Sequence, residues 1–369
     1  MLTVYLDSQD FSHFSMKHKD HAKYASLKAE LLQLKKGGHV RFVFSDVHIY
    51  EVFPTDSVAN EEGLERIGTM AEFCGKDSLP SVISLIEHEV RTVLSKSTGV
   101  AVPALSCNWF PDTGIANQPL DRGLRPPNRK DRRIMESRLR KSGSPLTTDF
   151  RLKYPFIKNT DTIVKYFLHE VDWVDVVRVI EGGIQDIKSF ATWLTASKDS
   201  HLDLPEILRG RYRSYVDAVM SMREEVARRV NALDSADQKD ELSNEIGRGL
   251  DNSIVELRSS IARRLVDELK DYDGSVTVDA SMPSFDALLR YLAELLRRSA
   301  QLTTPRKPSG SDFADALHVS YLPRVDIIRT DAAAADTLAR VFPERKGDIL
   351  ADVFKLPARI MAAASDVNA

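Results

Sequence analysis

The sequence predicts an α/β fold: a parallel sheet flanked by helices, built from the two ends of the chain, with a large all-helical insertion between them. Three observations predict it. Short β-branched or aromatic runs at residues 2–6, 40–44 and 326–330 read as buried strands bounded by polar turn residues such as Gly37 and Gly38. Apolar residues at helical spacing separate the first two runs and follow the third, the strand–helix alternation that makes a parallel sheet. Residues 60–302, in contrast, carry apolar faces spaced by three and four, the period of amphipathic helices.

Along the chain, residues 2–6 form the first strand, and Tyr24, Leu27, Leu31, Leu32 and Leu34 give the apolar face of a following helix. Residues 40–44 form the second strand. The insertion shows helical faces at 82–94, at 161–180 (Ile163, Val164, Phe167, Leu168, Val171, Val174, Val177), at 207–230, at 246–269 and at 285–296. A basic segment at 121–141, with nine Lys or Arg against three acids and Pro126-Pro127 within it, reads as an exposed loop or a loop running into a short helix. After the breaker-rich stretch 305–311, a helix opens at Asp312, with Ser311 or Asp312 as N-cap. Residues 326–330 are then a strand, 332–341 a helix and 348–350 a last edge strand.

Four acidic positions stand at or near the ends of the apolar runs: Asp7, Glu51, the pair Asp312/Asp315, and Asp331. In an open parallel sheet, side chains just past the carboxyl ends of the strands converge in one crevice. Carboxylates gathered there repel one another unless a cation sits among them, and hard oxygen donors suit Mg²⁺ or Mn²⁺. Such an ion would activate water and neutralise charge building on a phosphodiester, so no protein nucleophile is needed. Ser8, Ser45 and Thr330 adjoin the acids and are candidates for orienting water or a carboxylate, and His318, one turn after Asp315, is within reach of a carboxylate or phosphate. Each acid also has a plainer explanation, since Asp favours turns and helix caps after strands, and a packed histidine is commoner than a functional one. That explanation accounts for one acid but not for the set.

Bulk composition narrows the class. With 369 residues, 43% apolar and 28% charged, the chain is an ordinary globular one with room for a sizeable core. A formal charge of −3 neither requires nor excludes a nucleic-acid partner, which leaves local basic patches to decide. Arg125, Arg129, Lys130, Arg132 and Arg133 in the basic segment are the candidates to contact phosphates. Two cysteines, Cys74 and Cys107, without a CxxC spacing, argue against a disulfide framework or a zinc site and read as buried, reduced thiols. No charged leader precedes an apolar run and no run reaches membrane-spanning length, so a cytoplasmic protein without a membrane partner is expected.

The two end segments resemble the PIN domain family of metal-dependent nucleases. The match lies in V-Y-L-D ending at Asp7, S-D-V-H-I-Y-E from Ser45 to Glu51, D-F-A-D-A-L-H-V from Asp312, and I-I-R-T-D ending at Asp331. It covers residues 1–59 and 303–369 as two halves of one domain, with 60–302 as the insertion. The resemblance implies a parallel sheet flanked by helices, an acidic pocket holding Mg²⁺ or Mn²⁺ through Asp7, Glu51, Asp312 or Asp315, and Asp331, and hydrolysis of RNA ahead of DNA. The insertion then serves as a substrate clamp, a lid or an oligomerisation surface. Two other functions fit the same residues: a PIN-like interaction protein whose helical region binds a protein regulator, and a toxin or defence nuclease.

Overall fold

A computed structural model of the chain describes residues 1–52 except Lys17, 60–110, 128–140, 161–196, 281–299 and 311–368, with scattered positions between 217 and 263. Four strands form one all-parallel sheet: β1 (Leu2–Tyr5), β2 (Val40–Val43), β3 (Ile327–Arg329) and β4 (Ile349–Leu350), in the order β2-β1-β3-β4. Leu2 pairs with Val40 and Tyr5 with Val43, while Val4 and Tyr5 pair on the other side with Ile327 and Ile328. The first strand is therefore gripped between a neighbour close in sequence and one more than three hundred residues away. Strand order reverses between β1 and β3, which makes their carboxyl ends the switch point of the sheet.

Strand alternation divides the interior into two cores. Val4, Leu6, Val40, Phe42, Phe44 and Ile327 face one side, and Tyr5, Val43 and Ile328 the other. The first side is covered by α1 (Ser8–His13), α2 (His21–Lys36), α4 (Asn60–Cys74), α7 (Asp161–Phe167), α8 (Trp173–Gln185), α9 (Ile187–Ala196) and α13 (Leu356–Asn368), following α3 (Asp46–Val52) in the same core. Phe73 of α4 shows how the segment after residue 60 joins it: its ring stacks on Phe14 at 5.1 Å and meets Phe42 of β2 edge-on at 5.2 Å. The second side is covered by α5 (Val82–Thr98), α10 (Pro283–Ser299), α11 (Asp312–Val319) and α12 (Ala332–Val341). Helices from 60–302 thus close both faces of the sheet.

Most elements match their sequence patterns. The 332–341 helix and the short edge strand at its expected place are both present, and the two N-terminal strands end one residue earlier than their apolar runs. The 161–180 face is split in two. His169 takes a left-handed φ of 59°, and Glu170 N–H reaches back to Lys165 C=O at 2.9 Å, the bond that closes a helix C-terminus. Asp172 then restarts the chain as α8, its N–H held by Asp175 at 3.3 Å. Of the two cysteines, Cys74 is buried, with a thiol pushed well up by burial, but Cys107 is exposed, contrary to expectation. The faces at 207–230 and 246–269, and the breaker stretch 305–310, lie largely or wholly outside the described residues. No described helix is long and apolar enough to cross a membrane.

One buried carboxylate ties the second core together. Glu89 of α5 is 3% exposed and accepts from the N–H of Ser284, at 3.0 and 3.1 Å, and of Phe285, at 3.1 Å. These are the orphan donors at the start of α10, where a negative charge also suits the helix polarity. Arg324 lies 3.5 Å from the same carboxylate. Glu89→Ala is expected to lower unfolding stability by about 2–4 kcal/mol, because it leaves buried donors unmet. A urea midpoint equal to that of the parent would show that α10 does not depend on this cap.

Candidate active site

Asp7 and Asp331 occupy equivalent positions, each ending a strand and opening a helix. Asp7 caps α1 by accepting from Gln9 N–H at 2.8 Å, and Asp331 caps α12 by accepting from Ala334 N–H at 2.7 Å. Each bond uses Oδ1. The Asp7 Oδ2 lies 3.5 Å from Thr330 Oγ1, at the outer edge of hydrogen-bond reach, and 3.9 Å from Arg329 Nη1. Capping occupies Oδ1 of each, and Asp7 Oδ2 faces Thr330 and Arg329.

Glu51 comes to the same place from α3. Its Oε2 accepts from Ser8 Oγ in a short hydrogen bond and from His318 Nε2 at 2.9 Å. Burial pushes the Glu51 carboxyl up, but the His318 charge and the bonds from His318 and Ser8 outweigh it and hold the group down at about 2. His318 moves the other way: burial lowers it, and the charge and hydrogen bond of Glu51, with Asp7 and Asp315 behind them, raise it overall. The two form an ion pair.

Asp315, on the first turn of α11, is the acid most affected by the others. Burial pushes its carboxyl up to about 8; the His318 charge works against the shift, while Asp331, Glu51 and Asp7 add to it. All the acidic motifs thus act on one another through space. Asp312 is buried at the start of the same helix, which Ser311 precedes as N-cap.

Behind these residues runs a chain of buried hydrogen bonds. His318 Nδ1 is 2.6 Å from Tyr5 Oη, which is 2.6 Å from Ser45 Oγ. Ser45 N–H donates to His48 Nδ1 at 3.1 Å, and His48 Nε2 reaches the Leu6 carbonyl at 2.7 Å. Burial first, with the His318 charge adding, lowers His48 to about 3, so its ring is neutral. Beside the chain, Tyr321 Oη lies 2.8 Å from Asp46 Oδ1 and 2.7 Å from the Pro80 carbonyl, with its one hydrogen shared between the two acceptors.

Sequence reasoning missed a buried arginine–carboxyl contact under Asp7. Arg329, the last residue of β3, is 7% exposed, and its Nε lies 3.1 Å from Oδ1 of the fully buried Asp10. Asp10 Oδ2 accepts from Asp7 N–H at 3.1 Å, closing the capping box of α1. Burial pushes Asp10 up to about 8, with Arg329 lowering and Asp7 raising it. Two signals were present in the sequence: D-S-Q-D is a capping-box spacing, and an arginine ending an apolar strand needs a buried partner.

The expected metal ligands are hard oxygen donors and converge at the switch point, so the donor set fits a divalent cation in kind. Among the described residues, however, no group of three or more His, Cys, Asp or Glu side chains is drawn close enough to hold an ion as it stands. The acids are neighbours in field rather than at coordination distance, because charge acts over a longer range than a metal–oxygen bond. His318 and Arg329 supply positive charge inside the cluster. Of the basic segment, Arg129, Lys130 and Arg133 are exposed on α6 (Arg129–Arg140), which packs near α7; Arg132 lies in that helix, and Arg125 lies outside the described residues.

Comparison of the chain with protein-family models, curated proteins and solved structures gave no match.

Proposed function

We propose that the protein is a Mg²⁺- or Mn²⁺-dependent phosphodiesterase of PIN type that hydrolyses nucleic acid. The observation that carries this reading is the mutual coupling of Asp7, Glu51, Asp315 and Asp331 at the carboxyl ends of β1 and β3. In it, Asp7, Asp315 and Asp331 would hold the ion, with Glu51 completing the shell directly or through water. A bound ion would supply an activated water and offset charge on the scissile phosphate. Ser8 and His318 orient Glu51, Thr330 steadies Asp7, and Arg329 fixes Asp10 and the start of α1. Preference for RNA over DNA rests on the resemblance alone.

Metal binding should be linked to protons. At neutral pH Asp315, pushed up to about 8, holds a proton that a cation must displace. Calorimetry with Mn²⁺ is therefore expected to show proton release and an affinity rising about tenfold per pH unit between roughly pH 6 and 8. The rival reading, a PIN-like interaction protein with a silent pocket, draws on His318 and Arg329, which already neutralise part of the acidic charge. No heat at millimolar Mn²⁺ across that pH range would favour the rival.

A further inference from the structure

The donors and acceptors in the buried chain leave little freedom. The Leu6 carbonyl only accepts, so the neutral His48 ring carries its hydrogen on Nε2. That makes Nδ1 an acceptor, and its single in-plane lone pair is taken by Ser45 N–H at 3.1 Å. Ser45 Oγ, 3.3 Å from the same nitrogen, is then free to turn its hydrogen to Tyr5 Oη at 2.6 Å. Tyr5 Oη lies 2.6 Å from His318 Nδ1, as donor when the ring is neutral and as acceptor when it carries both hydrogens, and in either state the hydrogen on Nε2 points at Glu51 at 2.9 Å. The other end agrees: an ionised carboxylate also only accepts, so a bare Nε2 facing Glu51 would set two acceptors against each other.

We propose that Tyr5 is a positioning residue, which through Ser45 and His48 fixes the His318 ring so that Nε2–H always faces Glu51. Both donors to Glu51, Ser8 Oγ and His318 Nε2, converge on Oε2, which leaves Oε1 outside these two bonds. The chain orients and does not conduct, because it stops at a backbone carbonyl that cannot pass a proton onward. Packing supports the same role: Tyr5 lies 4.6 Å from the His48 ring and 5.5 Å from that of His318, and the two imidazoles are 4.9 Å apart. Tyr5 is 1% exposed, and Ser45 and His48 are fully buried, so no water competes for these bonds. The inference rests on the metal-site reading only for what Glu51 does; the ring geometry stands apart from it.

The test reads the ring directly. Long-range ¹⁵N–¹H correlation spectra of histidine-labelled protein, at a pH where His318 is neutral, should show His318 and His48 both as the Nε2–H form. Tyr5→Phe should move the His318 Nδ1 resonance toward that of a nitrogen without a hydrogen bond, and should weaken Mn²⁺ binding about 10- to 100-fold, the usual effect of losing a partner behind a metal ligand. An Nδ1–H form of His318 in the parent protein overturns the proposal, and this spectrum decides even if Tyr5→Phe does not fold. Unchanged His318 signals in a folded Tyr5→Phe overturn it as well. A parent protein that binds no Mn²⁺ but shows the expected ring form, altered in Tyr5→Phe, sinks the metal reading and supports the positioning role.

Discussion

Asp7→Asn and Asp331→Asn are each expected to reduce Mn²⁺-dependent cleavage of single-stranded RNA by about 10³-fold while leaving the fold intact. The two substitutions separate the two jobs these residues hold. Asparagine caps a helix about as well as aspartate, so the bonds to Gln9 and Ala334 N–H survive and stability should change by less than about 1 kcal/mol. What is lost is a negative charge acting on Asp315. If a bound cation stabilises the transition state by several kcal/mol, losing about 4 kcal/mol of that corresponds to about 10³ in rate. Asp336→Asn, on the exposed face of α12 where Asp336 pairs with Arg340, is the control and should cleave as the parent does. Equal cleavage by the parent, Asp7→Asn and Asp331→Asn would show that these acids are helix caps and nothing more.

Arg329→Met should be the most destabilising change in the sheet. It keeps the length of the side chain but strands Asp10 and Asp7 beneath β3, and breaking one side of a buried pair typically costs about 3–5 kcal/mol. The pH dependence has a definite sign. Asp10 is raised in the folded protein from 3.8 to about 8, so above pH 3.8 the folded form holds a proton that the unfolded chain gives up. Its contribution to stability is therefore full below that pH and falls away as pH rises toward 8. Without the guanidinium the carboxyl shifts further up, and the deficit of Arg329→Met should be larger at pH 9 than at pH 5. Adding Asp10→Asn should restore much of the loss, as urea unfolding in a double-mutant cycle would show. Additive losses from the two substitutions would mean that the pair contributes nothing by being a pair.

The parts of the fold that could be read from sequence are those whose signals are local. Strands buried on both faces are short unbroken apolar runs, which is why residues 2–6, 40–44 and 326–330 stand out, and an aspartate just after such a run marks the strand end whatever else it does. Asp7 and Asp331 were legible for that reason. Asp315 followed from its place on the first turn of a helix whose start could be guessed, and Glu51 from its place after the second apolar run. Arg329 was passed over despite its place at the end of an apolar run, since a guanidinium inside Ile327-Ile328-Arg329 resembles the polar face of an edge strand until Asp10 is seen beneath it. The Tyr5, Ser45, His48 and His318 contacts depend on how β1, α3 and α11 lie beside one another, which no single segment encodes. His169 was hidden because nothing about an isolated histidine announces a left-handed turn, and the apolar spacing runs on past it.

The pairing of β1 with β3 also bears on how the chain is made. A ribosome builds Asp7 and Glu51 early, but Asp315, Asp331 and the strand that covers the open side of β1 leave the exit tunnel only after more than 260 further residues. Throughout that interval the nascent polypeptide carries a bare strand edge and only half of the acidic cluster, a state open to aggregation. Prematurely terminated products would lack Asp315 and Asp331 for the same reason.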